Sequence, residues 1–151
     1  MHGGDALSDG AGVGLRPRLA DPPNWLLRPL LGGKYHVSMP IDLYAGIPVA
    51  DHPAALAWYE KLLGVPPSYV AGDTEAVWEL AEHRSIFIEH RPEHAGHTLL
   101  TIFVDDLDAF VAAAAERGVE PVKRETYPNG VRKADFRDPD GNELSFGGAP
   151  L

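Results

Sequence analysis

The pattern of apolar and polar positions repeats along the chain between residues 41 and 148. Residues 41–51 form a strand-like run that ends in Val49-x-Asp51, and residues 97–106 form a second run that ends in Val104-x-Asp106. A segment with apolar residues at helical spacing follows each run. Internal self-similarity of this kind predicts two copies of one structural unit.

Each predicted helix has a start signal and a stop signal. Asp51 and Asp106 are suited to be N-caps, because an aspartate side chain accepts hydrogen bonds from the first free N–H groups of a helix. Gly64 and Gly118 stand where a left-handed residue ends a helix. The apolar faces consist of Ala55, Trp58, Tyr59, Leu62 and Leu63 in the first helix and of Leu107, Phe110, Val111 and Ala114 in the second.

Three short strand candidates follow each helix, separated by turn residues such as Gly72-Asp73 and Asn129-Gly130. They are residues 67–71, 75–81 and 84–90 in the first copy and residues 119–125, 130–137 and 142–147 in the second. The pattern predicts an α+β fold of two tandem βαβββ modules, module one at 41–93 and module two at 97–148, in a single domain at 41–148. Strand alternation places Trp78, Leu80, Ile86 and Ile88 under the first helix and leaves Glu79, Phe87 and Glu89 on the opposite face.

Composition narrows the class of protein. The chain has 151 residues and no cysteine, which excludes disulfides, thiolate metal sites and cysteine nucleophiles. A net charge of −9 argues against a nucleic-acid partner, which would require a basic surface. No apolar run is long enough to span a membrane and no signal peptide is recognisable, so we expect a cytoplasmic protein. Residues 1–40 are an N-terminal extension, either partly disordered or an arm that docks through Trp25 and its neighbouring leucines.

Three motifs in order resemble a known superfamily. They are Val49-x-Asp51 with the helix Ala57-Trp58-Tyr59-Glu60-x-x-Leu63-Gly64, then Val104-Asp105-Asp106-Leu107, then the turn Asp138-Pro139-Asp140-Gly141-Asn142. The pattern resembles the vicinal-oxygen-chelate superfamily, which contains glyoxalases, bleomycin-resistance proteins and extradiol dioxygenases. The resemblance implies two curved sheets around a cavity, and a homodimer whose cavities lie between modules of both chains.

The resemblance also implies where a metal would be held. Many members bind a divalent metal through two His and one Glu, and the matching positions here are Tyr44, Leu99 and Ser145. Since none of these is His or Glu, we expect no metal cofactor. An alternative keeps a metal such as Fe, Mn, Ni or Zn at residues two positions upstream, on the same strand faces: Asp42, His97 and Glu143.

The side chains expected to line the cavity are mixed in character. They are Tyr44, Glu79, Phe87, Glu89, Leu99, Thr101, Phe103 and Ser145. Aromatic and aliphatic groups favour a planar or amphipathic ligand, and the carboxylates favour a cationic one. His83, His90 and His94 lie in or near turns and are expected to be solvated.

Three functions follow from this set of residues. The first is a metal-independent small-molecule binder of the drug-sequestering, antibiotic-resistance kind. The second is an enzyme of the same fold: a lyase, isomerase or dioxygenase with the shifted metal ligands, or a metal-free acid–base catalyst. The third is an interaction module with no ligand.

Overall fold

The structure, a computed structural model, describes residues 28–29, 35–36 and 41–150. The chain divides into two units, residues 1–40 and 41–151. In the first unit, β1 (Arg28–Pro29) pairs antiparallel with β2 (Tyr35–His36). The docking arm expected at Trp25 lies outside the described residues. Within the described ranges, no helix is long and apolar enough to cross a membrane.

The second unit contains two modules with the same order of elements. The first module has β3 (Leu43–Val49), α1 (His52–Leu63), β4 (Tyr69–Ala71), β5 (Glu75–Ala81) and β6 (Arg84–His90). A 3-10 turn, η1 (Pro92–His94), leads to the second module: β7 (Leu99–Phe103), α2 (Leu107–Glu116), β8 (Lys123–Thr126), β9 (Arg132–Arg137) and β10 (Glu143–Gly148). The strand orders are β3-β6-β5-β4 and β7-β10-β9-β8, with β3–β6 and β7–β10 parallel and the other pairs antiparallel. The α+β fold of two βαβββ modules is confirmed.

The predicted helix ends are confirmed. The Asp51 carboxylate accepts from the Ala54 N–H at 3.0 Å, and the Asp106 carboxylate accepts from the Ala109 N–H at 2.9 Å. Gly64 adopts a φ of 77°, a left-handed conformation that costs a glycine little. The second helix is followed by a left-handed glycine as well, Gly118.

The ends of the two helices are tied together by one arginine. The Arg117 guanidinium, at the end of α2, donates to the carbonyl oxygens of Lys61 and Leu62 at the end of α1. A Cβ on Gly64 would lie 2.8 Å from Arg117 Cζ, so the glycine also makes room for this clamp. Arg117 thereby satisfies carbonyl groups that a helix end leaves free and holds the modules side by side.

Each helix covers one face of its sheet and leaves the other face open. Trp78, Ile86 and Ile88 are buried, as predicted, and pack with Tyr59 and Leu62 of α1. In the second module the core residues are Leu107, Val111, Ala114, Ala134, Phe136, Leu144 and Phe146. The burial predicted for Leu80 is wrong, since its side chain is 39% exposed. A register shift between Glu79 and Ala81 carries the strand end out from under the helix.

Two further expectations about strands can be compared with the structure. The strand predicted at 119–125 starts at Lys123, because Val119 still belongs to the end of α2, where its N–H donates to the Ala114 carbonyl at 3.0 Å. Pro48 lies in β3, which is an edge strand as expected for a residue without an N–H.

Candidate functional site

The open face of the first sheet carries carboxylates next to aromatic rings. Glu75 of β5 lies directly opposite Glu89 of β6, and Val77 lies opposite Phe87. Arg91 Nε lies 3.4 Å from the Glu89 carboxylate. Within residues 41–150, no Lys, Arg or His side chain lies within salt-bridge distance of Glu75 or Glu79. Like charges in directly opposed positions destabilise a sheet, so this face retains an electrostatic cost.

Glycine and phenylalanine are paired across strands in both modules. Gly46 of β3 lies opposite Phe87, and a Cβ on Gly46 would be 2.7 Å from the Phe87 ring. The Phe87 ring therefore fills the space above this glycine. In the second module Phe103 lies over Gly147 in the same way, with a closest approach of 2.9 Å. Phe103 is still 66% exposed, so its ring is available for stacking.

On the open face of the second sheet, the charges are paired. Lys133 Nζ lies 3.0 Å from the Asp135 carboxylate and 3.7 Å from the Glu125 carboxylate. Lys123 Nζ lies 2.6 Å from Glu125, and Arg137 Nη2 lies 3.1 Å from Glu143. Each carboxylate at these positions has a cationic neighbour on the same face, whereas in the first sheet Glu89 has one and, within residues 41–150, Glu75 and Glu79 have none.

A buried hydroxyl–carboxylate pair lies at the centre of the second face. Ser145 has no exposed surface, and its hydroxyl donates to the Asp135 carboxylate at 2.6 Å. Burial by itself would raise the pKa of Asp135. The hydrogen bonds from Ser145 and Lys133, together with the charge of Lys133, outweigh burial and hold the pKa of Asp135 below its usual range. Asp135 is therefore a fixed negative charge held by its own neighbours.

The turn between β9 and β10, residues 138–142, joins the two modules. Asn142 is fully buried, and its side-chain oxygen accepts from the N–H groups of Gly96 and Thr98, both at 3.0 Å. Its side-chain nitrogen donates to the Pro48 carbonyl and to the Asp138 carboxylate, both at 2.8 Å. One side chain thus fixes the end of β3 and the approach to β7, which are the edge strands of the two sheets.

The same turn receives a hydroxyl from the first helix. Tyr59 donates to the Asp138 carboxylate at 3.0 Å, and the Ala50 N–H donates to the Asp140 carboxylate at 2.9 Å. Burial, and next the charge of Asp138, raise the pKa of the Tyr59 hydroxyl far above its usual range. Tyr59 is thus a permanent hydrogen-bond donor within a structural junction.

Two recesses border the open surfaces. A polar recess of about 210 Å³ is lined by Asp42, Tyr44, Glu79, His83 and Ser85. A larger, mainly apolar recess of about 420 Å³ lies between strands of both sheets. Its lining residues include Leu80, Ile86, Leu100, Thr101 and Phe103.

The structure distributes the predicted cavity residues over these surfaces. Tyr44 and Glu79 line the small recess, Thr101 and Phe103 line the large one, and Phe87 and Glu89 lie on the open face of the first sheet. Leu99 is 74% exposed on the edge strand β7. Ser145 offers no surface to a ligand, because it is buried against Asp135. Within one chain, the eight residues therefore lie at separate places and do not enclose one cavity.

The three expected metal positions do not fit a divalent metal. Tyr44 offers a neutral hydroxyl, Leu99 offers no donor atom, and the Ser145 hydroxyl is committed to Asp135. The shifted set does not come together within the chain either. Asp42 is paired with His83 and Glu143 with Arg137, and among residues 41–150 no three His, Asp or Glu side chains are grouped so as to hold a metal ion.

Sequence reasoning missed two sets of polar residues. His83, expected to be merely solvated, has its Nδ1 hydrogen-bonded to the Asp42 carboxylate across 41 positions of sequence. Asp135 and Lys133 were not singled out, although Asp135 on a strand otherwise rich in apolar and basic residues is an unusual buried acid. The strand register, which the sequence does not specify, brings each pair together.

The model of the Glyoxalase/Bleomycin resistance protein/Dioxygenase superfamily matches residues 41–146. The chain belongs to this superfamily. It is 55% identical to a glyoxalase/bleomycin resistance protein from Catenulispora acidiphila DSM 44928, over 73% of this chain and 99% of that one, with a TM-score of 0.71. The superfamily resemblance inferred from the three motifs is confirmed.

More distant structures show the same fold. A lactoylglutathione lyase from Agrobacterium tumefaciens is 16% identical, covers 74% of this chain and 96% of its own, and has a TM-score of 0.61. A bleomycin-binding protein in complex with bleomycin is 19% identical over 71% of this chain and 97% of its own, with a TM-score of 0.59. No curated protein matches the chain.

Proposed function

We propose that this superfamily member binds a planar or amphipathic, cationic small molecule without a metal cofactor. The observation that carries the proposal is the open face of the first sheet, where Glu75 and Glu89 oppose each other beside Phe87. A bound cation would offset the repulsion between these carboxylates, and charge-assisted hydrogen bonds would hold it there. The aromatic side chain adds a surface for stacking and for cation–π contact.

Exposed apolar side chains on the edge strands supply the rest of the binding free energy. Leu99, Phe103 and Tyr44 are 74%, 66% and 59% exposed, which is unusual for residues of their size. A ligand that buries ~200 Å² of apolar surface gains ~5 kcal/mol before the costs of association. We propose that a second copy of the chain completes the cavity over these edges. The bleomycin-binding protein, which shares the fold, supports a binding role for this scaffold.

A panel of planar cations and neutral compounds of equal shape tests the proposal by thermal shift and calorimetry. A true ligand raises the melting temperature with the logarithm of its excess over Kd. We expect Leu99→Arg to abolish binding, because it places a bulky positive charge on the binding surface, while light scattering still reports the dimer. Glu75→Gln should weaken binding of a cation about tenfold, or ~1.4 kcal/mol.

Two controls limit the interpretation. Glu120→Gln changes one charge at an exposed position outside the open faces and should leave binding unchanged. Elemental analysis of protein purified without chelator should find far less than one Fe, Mn, Ni, Zn or Co ion per chain. A Leu99→Arg dimer that binds as tightly as the parent would refute the site, and stoichiometric metal that disappears with His97→Ala or Glu143→Ala would refute the metal-free function.

A further inference from the structure

The polar recess beside the open face of the first sheet holds a histidine with a defined tautomer. A carboxylate only accepts hydrogen bonds, so His83 Nδ1 donates to Asp42, and the second ring nitrogen, Nε2, lies on the other side of the ring. The imidazole is 63% exposed, so water and a small molecule can reach Nε2. An imidazole that a carboxylate orients at Nδ1 is a common arrangement for a general base that acts through Nε2.

The backbone of His83 is left-handed in the Glu82-His83 turn between β5 and β6. His83 has a φ of 61° and is the one non-glycine residue with positive φ in the part of the chain that the structure describes. A left-handed conformation costs free energy for a residue with a Cβ, and asparagine or glycine would tolerate it better. Residues kept in such conformations often belong to functional sites.

Residues that carry hydroxyl and carboxylate groups line the recess beside His83. The recess of about 210 Å³ is lined by Tyr44, Ser85 and Glu79 as well as by the Asp42–His83 pair. The Glu82 carboxylate lies 3.4 Å from His83 Nε2, where it would stabilise the imidazole once it has taken up a proton. The neighbouring residue Arg84 lies on β6 and is exposed.

We propose that His83, oriented by Asp42, is the general base of a hydrolytic site for small esters, preferably cationic ones. His83 Nε2 takes a proton from a water molecule, whose oxygen bonds to the ester carbonyl carbon. The carbonyl electron pair moves to its oxygen, to which the hydroxyls of Tyr44 and Ser85 donate. The intermediate then breaks its bond to the leaving group, which receives the proton from the imidazolium; the products are an acid and an alcohol or thiol.

The preference for a cation rests on the proposed function, because Glu79 lines the recess and lies on the same open face as Glu75. The base itself does not depend on it. A neutral ester, 4-nitrophenyl acetate, therefore tests the base alone, and acetylthiocholine tests the base together with the cation site. Since the chain contains no cysteine, a thiol reagent reports the released thiocholine without background from the protein.

His83→Asn is the decisive variant in the full-length chain. Asparagine accepts the left-handed conformation and still donates to Asp42, so the melting temperature should be retained while hydrolysis of both esters falls at least about tenfold. Asp42→Asn should lower kcat and leave KM unchanged, as expected for a positioning residue. The matched control is His94→Asn, which removes another exposed imidazole 3.9 Å from a glutamate and should change neither rate.

The outcomes separate the two proposals. Hydrolysis that is no faster than in buffer, or that survives His83→Asn unchanged, overturns the general base while leaving the binding proposal intact. Hydrolysis of both esters that depends on His83, with no loss of acetylthiocholine turnover in Glu79→Gln, supports the base and contradicts the role of Glu79 in cation binding.

Discussion

The two modules build the same sheet and use its open face differently. Glu75 of β5 and Lys133 of β9 occupy equivalent positions in the two sheets. Glu75 faces Glu89, whereas Lys133 faces Gly147 and lies 3.0 Å from the Asp135 carboxylate. The first face thus opposes two carboxylates, of which Glu89 has a cationic neighbour in Arg91, whereas the second face pairs each of its carboxylates with a cation.

This difference indicates where a ligand would act. A face whose charges are already paired gains little from a ligand ion, because an existing ion pair must first be broken. A face with opposed carboxylates gains from any cation placed between them. The same backbone therefore carries paired charges in module two and directly opposed carboxylates in module one.

We expect the largest loss of stability at Asn142, whose side chain joins the two modules. Asn142→Ala removes the buried amide that contacts Gly96, Thr98 and Pro48 and leaves several buried polar groups without partners. We expect a loss of about 4 kcal/mol in the free energy of unfolding, measured by urea denaturation. Asn129→Ala, at an exposed turn where the side chain accepts one hydrogen bond from Val131, should cost well under half as much. Equal losses would show that Asn142 does not join the modules.

Whether a feature of the fold could be predicted from the sequence depends on whether its contacts are local or long-range. Helix caps at Asp51 and Asp106 are local, so residue type and spacing were sufficient to find them. The alternation that buried Ile86 and left Phe87 outside is local as well. The burial predicted for Leu80 is wrong because a register shift, which depends on the partner strand, interrupts the alternation.

The site was harder to predict because its contacts are long-range. The Asp42–His83 pair spans 41 positions, and Ser145–Asp135 depends on the register of β9 against β10. The motif of the closing turn was recognised as a family signature, but its physical role as the junction of both modules follows from the contacts of Asn142 with Pro48. Periodicity predicts which face of the sheet a residue occupies. Only the strand register determines which residue lies next to it on that face.

The stability that charge pairing gives to the open face of module two should depend on pH. The pKa of Asp135 is held below its usual range in the folded chain, so ionised Asp135 stabilises the fold above the pKa of an unfolded aspartate, about 3.9. That contribution is lost as the pH falls through the lower, folded-state pKa. Asp135→Asn should therefore cost about 2 kcal/mol at neutral pH and progressively less in acid.

Thermal unfolding of the parent and of Asp135→Asn across the acid range measures this effect. Asp73→Asn, at an exposed turn, is the control and should shift stability by a small amount that does not depend on pH. If the difference between the parent and Asp135→Asn stayed constant from neutral to acid pH, the carboxylate of Asp135 would not be stabilised by its neighbours.

The smallest expected effects are changes of opposite sign in the free energy of unfolding at the equivalent positions 75 and 133. Glu75→Gln removes the repulsion with Glu89 and should raise the free energy of unfolding by about 0.5 kcal/mol. Lys133→Gln removes the partner of Asp135 and should lower it by about 1 kcal/mol, since the lysine side chain is only 20% exposed. Both substitutions introduce the same neutral side chain on a β-strand, so the opposite signs report on the charge that each one removes. Urea denaturation at low salt measures both, and added salt should shrink the gain at Glu75 because screening weakens the repulsion there. Two variants that both lose stability would mean that the carboxylates of module one do not repel each other, and a cation at that face would then relieve no repulsion.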